Sequence, residues 1–351
     1  MKYWIGLAVI VAHVAVLGLF LGPWRGREAV AGAQGGAAAA SASGAPAGAA
    51  GGAVAAPSTT PAATPGRAAA GTSSGVPAFS PTFFAPAQRP LPAKLETAAA
   101  ACRSGVLVDW SSRRLFWGKA EARAVPIASL TKMMTVLVVM QELRSRPDLT
   151  LSTPITVTRE AALVGGRQVW LDPRETFSLK DILRCTLIHS ANDAAFLLAQ
   201  HLAGSELAFL RRMQEASAAM GLQNFTFHNS HGLPEGPTNA ENSGSAIEMA
   251  YLAGRLMAYP EVIELSSTRV SYLEPRIDGK KTQLVTTNRL IGRVPGVNGM
   301  KTGFTDKARY CLVATCERSG RQVIAVATGC ASSAERDALV GALIEWAYTL
   351  P

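Results

Sequence analysis

The chain has 351 residues, 48% of them hydrophobic and 17% charged, with a formal net charge of +9. That length leaves room for two or three domains. The basic excess contains no Lys/Arg run interleaved with aromatics, which argues against a nucleic-acid partner; it suits anionic wall polymers or carboxylate-ended substrates, and equally an ordinary soluble surface.

Residues Ile5 to Gly22 are apolar apart from His13, with Lys2 before them and Pro23-Trp24-Arg25 after. The run is long for the core of a signal peptide and long enough for a spanning helix. An uncleaved membrane anchor over residues 1–28 is therefore preferred to a cleaved signal ending at Ala29-Val30-Ala31, although Arg25 and Arg27 weigh mildly against export. Either version places the remainder of the chain on the extracytoplasmic, periplasmic face of the membrane. Residues 29–93 hold mainly Ala, Gly, Pro, Ser and Thr, and Arg67 and Arg89 are their only charges. Such a composition buries too little apolar surface to offset ordering, so a disordered tether is expected, its ends on the order of 45 Å apart. Residues 94–351 remain for one enzyme-sized domain.

That domain opens with strand patterns at Ser104–Asp109 and Arg114–Gly118 around a Trp110-Ser111-Ser112-Arg113 turn. Leu130–Leu143 is apolar on nearly every side and predicts a buried helix. A short hairpin is expected from Ile155–Val157 and Val169–Leu171. Ser178-Leu179-Lys180-Asp181 reads as a capping box opening a helix that stops near His189. Further helices are expected from Asn192 or Asp193 to about Leu202, over Leu207–Met220 and over Ala246–Met257. A strand through Gly299–Gly303, a hairpin of Tyr310–Cys316 with Gln322–Ala327, and an amphipathic helix over Glu335–Tyr348 close the chain. Antiparallel pairing of the late strands with the early pair predicts an α+β fold. Its central sheet has helices on both faces, and the intervening helices form a helical lobe.

The five cysteines contain no CxxC pair and their number is odd, so no disulfide framework is expected. Cys185, Cys311 and Cys316 sit in apolar contexts and predict buried thiols. His228 and His231 lack a third ligand nearby, so they read as structural histidines and no metal or other cofactor is expected.

Three motifs carry chemistry: Ser129-Leu130-Thr131-Lys132, Ser190-Ala191-Asn192 and Lys301-Thr302-Gly303. Ser129 and Lys132 lie three apart at a helix start, so their side chains share a face, although Ser129 taken alone reads as an ordinary N-cap. A serine hydroxyl needs a base, and a lysine can serve if burial and a neighbouring cation, here Lys301, lower its pKa. Ser190 and Asn192 occupy a corner between two helices, where a hydroxyl and a carboxamide can relay a proton and hold an amide; a plain helix cap is the competing reading. Lys301 and Gly303 face one side of a strand edge, where Gly303 allows close backbone approach and an extended peptide can add as a strand.

In this order the motifs resemble the penicillin-binding protein and serine β-lactamase superfamily. The stretches Ala128–Met134, His189–Ala195, Asn229–Pro234 and Gly296–Thr305 resemble its D-alanyl-D-alanine carboxypeptidases of low molecular mass, serine peptidase family S11. The resemblance implies an acylated nucleophile at Ser129 with Lys132 as its base, and assisting roles for Ser190 and Asn192. It gives the substrate carboxylate to Lys301 and Thr302, and the oxyanion to the N–H groups of Ser129 and Phe304. Arg336 matches an arginine near the same carboxylate, with a surface helix-start residue as the alternative. The implied substrates are peptidoglycan stem peptides, with β-lactam antibiotics as covalent inhibitors.

Several positions depart from the family pattern. Arg309 stands where a small glycine is common and is expected to disturb strand pairing behind the site. Asn298 replaces a frequent aspartate, and Asn242-Ser243-Gly244-Ser245 only partly matches the usual helix start. The C-terminal β-rich domain of many relatives is expected to be absent, with the N-terminal anchor compensating. The competing functions are a DD-endopeptidase, a β-lactamase, disfavoured because no Glu-x-x-Leu-Asn stretch is present, and a non-catalytic muropeptide-binding protein.

Overall fold

A computed structural model describes residues 75–351 apart from position 275. The expected anchor and most of the expected tether lie outside the described residues. The last part of that stretch packs on the domain: Phe83, Phe84 and Leu91 are buried. Ala85–Pro86 adds a short parallel strand to the sheet edge.

The elements follow in order. Helix α1 (Ala93–Ala100) leads to strands β1 (Ser104–Asp109) and β2 (Arg114–Lys119). A single 3-10 turn, Ala128–Thr131, runs into α2 (Lys132–Ser145). Strands β3 (Pro154–Thr156) and β4 (Thr176–Ser178) form a small hairpin. The capping box at Ser178 starts α3 (Leu179–Arg184), which a π-helical turn extends through Cys185–His189. The helical lobe continues with α4 (Asn192–Ala203), α5 (Glu206–Ala219), α6 (Ala246–Leu256) and α7 (Pro260–Ser266). A hairpin of β5 (Val270–Leu273) and β6 (Thr282–Val285) comes next. Three long strands, β7 (Val297–Thr305), β8 (Arg309–Arg318) and β9 (Arg321–Cys330), precede α8 (Ser333–Ala347).

The late strands pair with the early ones as expected. The order across the sheet is the 85–86 strand, β2, β1, β9, β8 and β7, and the five long strands are antiparallel. Side chains alternate between the two faces of each strand, and the sequence exploits this. Val106, Val108, Val313, Ile324 and Val326 pack with the helical lobe. Leu107, Leu312, Ala314, Val323 and Ala325 pack instead under α1 and α8. A sheet covered on both faces needs apolar residues at every position, which is why these strands read as continuous runs. In α2 every residue from Met133 to Met140 is buried, as its all-round apolar pattern demands.

Two differences from the sequence reading have local causes. Val169–Leu171 does not pair with residues 155–157, because the N–H groups of Val169 and Leu171 donate to the Asp193 carboxylate at 3.1 and 3.2 Å. The element 154–156 takes Thr176–Ser178 instead. The cysteines also require correction. Cys102 and Cys330 form a disulfide across 228 residues, joining the start of β1 to the end of β9. Cys185, Cys311 and Cys316 are free and buried, as expected.

The disulfide closes a loop long enough to restrict the unfolded chain by as much as about 5 kcal/mol in the chain-entropy picture. Denatured, unreduced protein is expected to titrate three thiols, and reduction is expected to lower the Tm. Five titratable thiols without reductant would contradict the pairing.

Candidate active site

Ser129 sits on the 3-10 turn that feeds α2, and the turn is clamped from two sides by glycines. A Cβ at Gly303 would meet the Ile127 carbonyl at 2.8 Å and the Ser129 nitrogen at 3.2 Å. Gly232 has φ +91°, and a Cβ there would meet the Ala128 carbonyl at 2.0 Å. The need for glycine at 303 therefore lies in strand β7 pressing on the serine turn, rather than in approach by a ligand backbone.

Lys132 is fully buried one residue beyond that turn. Its Nζ lies 3.0 Å from Ser129 Oγ, 2.7 Å from Asn192 Oδ1 and 2.6 Å from the His231 carbonyl. An ammonium uses all three donors on these acceptors. A neutral amine keeps two N–H bonds, to Asn192 and His231, and turns its lone pair to the Ser129 hydroxyl. The environment favours the neutral form: burial pushes the Lys132 pKa well down, and the Lys301 charge adds to this while Asp193 opposes it. His231 stays neutral, since burial lowers its pKa to about 3.

The second motif follows from backbone geometry. The π-helical turn ends at Ser190 in the left-handed conformation, φ 65° and ψ 31°, and Asn192 then begins α4. This corner turns both side chains inward. Ser190 Oγ accepts from Lys301 Nζ at 2.7 Å, while Asn192 Nδ2 donates to the Gly165 carbonyl at 2.9 Å. The sequence left a plain cap open for these residues, and neither side chain caps its helix.

Lys301 is carried by β7, the edge strand of the sheet. It is also buried, and burial, assisted by the Arg167 and Arg336 charges, lowers its pKa to about 7. Thr302 Oγ1 bonds Thr287 Oγ1 at 2.6 Å and faces a cleft of about 670 Å³ that also exposes Ser129, Ser190, Asn192, Gly303 and Phe304. Arg336 reaches the same cleft from the first turn of α8 but is no surface residue: it is buried and paired with Asp337 at 2.6 Å. The predicted site residues from all three motifs thus meet around one opening.

The departures from the family pattern are accommodated. Arg309 adopts φ 57°, a left-handed backbone that explains a glycine there, yet β7 and β8 keep their register from Thr305↔Arg309 through Thr302↔Leu312. The expected disturbance lies on the other side of β8, where its pairing with β9 shifts register between Tyr310 and Leu312. Asn298 Oδ1 accepts from Thr315 Oγ1 at 2.8 Å. Asn242 is a buried hub whose Oδ1 accepts from the His228 N–H at 2.6 Å. Its Nδ2 donates to Thr131 Oγ1 and to the Asn229 carbonyl. Through it the Asn229–Gly232 segment is held over Lys132. Sequence reasoning missed the part played by His231 and Gly232, and the Asn229–Pro234 stretch was the available signal. It also missed Thr287 and Arg167, which line the cleft. Among the described residues no group of three His, Cys, Asp or Glu could hold a metal ion.

Residues 92–332 match peptidase family S11, D-alanyl-D-alanine carboxypeptidase. The chain is 34% identical over 247 residues to D-alanyl-D-alanine carboxypeptidase DacF of Bacillus subtilis, covering 70% of this chain and 62% of that protein. It is 30% identical over 278 residues to DacC of Escherichia coli, covering 77% and 66%. Its fold matches penicillin-binding protein D2 of Listeria monocytogenes in an ampicillin-bound form, with TM-score 0.62, 25% identity, and coverage of 71% of this chain and 97% of that one. The chain belongs to the D-alanyl-D-alanine carboxypeptidase family S11. It spans a little under two thirds of the length of the two curated relatives.

The close approach at Gly303 has a direct consequence. Gly303→Ala is expected to push β7 off the serine turn and to slow labelling by a fluorescent penicillin about tenfold or more, equivalent to about 1.4 kcal/mol. An unchanged rate would show that the turn tolerates displacement.

Proposed function

We propose that this protein is a serine-type D-Ala-D-Ala carboxypeptidase that removes the terminal D-alanine from peptidoglycan stem peptides. The observation that carries this reading is the burial of Lys132, without an ion pair among the described residues, with its Nζ 3.0 Å from Ser129 Oγ. Neutral Lys132 takes the Ser129 proton as the oxygen attacks the carbonyl between the two D-alanines. The N–H groups of Ser129 and Phe304 receive the oxyanion. Lys301 and Thr302 hold the terminal carboxylate, with Arg336 behind them, and Asn192 orients the acyl portion. Ser190, hydrogen-bonded to Lys301, passes a proton to the departing amine and regains one from the Lys132 ammonium, so free D-alanine leaves and Lys132 is neutral again. Water, activated by the same lysine, then hydrolyses the acyl-enzyme. A β-lactam presents a strained amide beside a carboxylate and acylates the same serine, but its leaving group stays tethered.

The same reading places the domain in the cell envelope, with residues 1–28 as membrane anchor and the segment after them as tether. What supports it is the composition of the chain and the location of a peptidoglycan substrate. Among the described residues no helix is long and apolar enough to cross a membrane. Mass spectrometry of the mature N-terminus is expected to find residues 1–28 retained, and a start near Gly32 would favour a cleaved signal.

Ser129→Ala is expected to abolish both penicillin labelling and D-alanine release from a pentapeptide ending in D-Ala-D-Ala. Wild-type protein that neither labels nor releases D-alanine would sink the proposal, and faster cleavage of cross-linked dimers than of pentapeptide would assign an endopeptidase. The pH profile follows from the two lysines. Lys132 must be neutral and Lys301 charged, and burial lowers both pKa values. Activity therefore rises as Lys132 deprotonates. It falls as pH rises through the Lys301 value of about 7, where the carboxylate loses its counter-charge. An alkaline limb of kcat/KM in the range of an exposed lysine, about 10.4, would remove Lys301 from carboxylate binding.

A further inference from the structure

The proposed reaction needs one anion site, for the carboxylate of the leaving D-alanine, yet the cleft is more cationic than that. Arg167, Arg289 and Arg336 line it above buried Lys301, and none of its lining residues is an aspartate or glutamate. Two of the three arginines belong to the leaving-group side. Arg336 is neutralised by Asp337, and Arg289 reaches Ser333 Oγ at 3.4 Å, at the start of α8.

Arg167 stands on the other wall. Its carbonyl accepts from the Asn192 N–H at 2.8 Å, and a Cβ on its neighbour Gly166 would meet Asn192 Nδ2 at 2.7 Å. It therefore flanks the carboxamide that orients the acyl portion. The loop carrying it is fastened at both ends, by Asn192 to the Gly165 carbonyl and by the Asp193 carboxylate to Val169 and Leu171. A fixed backbone holds the charge in place, while the exposed guanidinium has no hydrogen-bond or ion-pair partner among the described residues. Its field also reaches Lys132 and Lys301 and disfavours their charged forms. An uncompensated cation there gains nothing in the free protein, whereas a bound carboxylate offsets it and pairs bidentately with a guanidinium.

We infer that Arg167 forms a second anion-binding point on the acyl side of the cleft, recognising a carboxylate upstream of the scissile bond. This rests on the carboxypeptidase reading. Two groups in a stem peptide have that chemistry: a side-chain carboxylate on a diaminodicarboxylic residue just before the D-alanines, or the free α-carboxylate of a γ-linked D-glutamate one residue earlier.

Two pairs of synthetic peptides ending in D-Ala-D-Ala separate these sources. One pair carries the diamino residue with or without its side-chain carboxylate, and the other carries γ-linked D-glutamate or its α-amide. The expected result is a kcat/KM advantage of about tenfold for the acid in one pair. That advantage should collapse to about one in Arg167→Ala and be partly retained in Arg167→Lys, whose point charge lacks the planar fork. Because each ratio compares two substrates on one enzyme, any effect of the lost charge on the lysines cancels. Penicillin labelling of the variants confirms that they fold. Equal rates within both pairs, or a preference that survives Arg167→Ala, overturns the inference and leaves the carboxypeptidase reading intact. Failure of the wild type both to label and to cleave any peptide removes that reading, and this one with it.

Discussion

The side-chain nitrogen of Lys132 is buried with three oxygen partners from three separate parts of the chain and no ion pair among the described residues. Such a group is stable as the neutral amine, because burial penalises its charged form. Each acceptor then serves two purposes. Asn192 and the His231 carbonyl keep the amine oriented, and the remaining lone pair has one place to go, the Ser129 hydroxyl. The site therefore depends on assembling the 3-10 turn, the α3–α4 corner and the 229–233 segment at one atom.

Much of the surrounding fold secures that assembly. Asn242 ties the 229–232 segment to Thr131 on the serine turn, and Thr135 of α2 donates to the Ser230 carbonyl at 2.6 Å. Asp193, buried behind Asn192, spends its carboxylate on backbone N–H groups of the 169–171 loop, which sets the far wall of the cleft. On the near wall, Gly303 lets the edge strand lie against the turn, bringing Lys301 to Ser190. The second lysine is part of the same electrostatic arrangement: the Lys301 charge disfavours a charge on Lys132, because two buried amines near each other cannot both stay charged cheaply.

Local patterns were legible where the signal is local. The apolar runs of β1, β8 and β9, the capping box at Ser178 and the all-apolar α2 are written within a few residues, and the structure holds each of them. The motif residues were legible as chemistry for the same reason. Short-range patterns failed where a distant side chain competes for the backbone, as Asp193 does at Val169 and Leu171, or where a lone aromatic cluster such as Phe83-Phe84 interrupts a stretch of low complexity and packs on the core.

By itself, the sequence determined the α+β order of elements and, through its resemblance to known motifs, the family and the candidate serine, lysines and asparagine, because these are written within short stretches of chain. Only the tertiary structure decided that Cys102 meets Cys330, that the third acceptor of Lys132 is the backbone of His231, that Gly303 serves the serine turn, and that Arg167 faces the cleft without a partner among the described residues. These contacts join positions tens to hundreds of residues apart. No local propensity encodes them, and they exist once burial of both sheet faces has fixed the paths of the connecting loops.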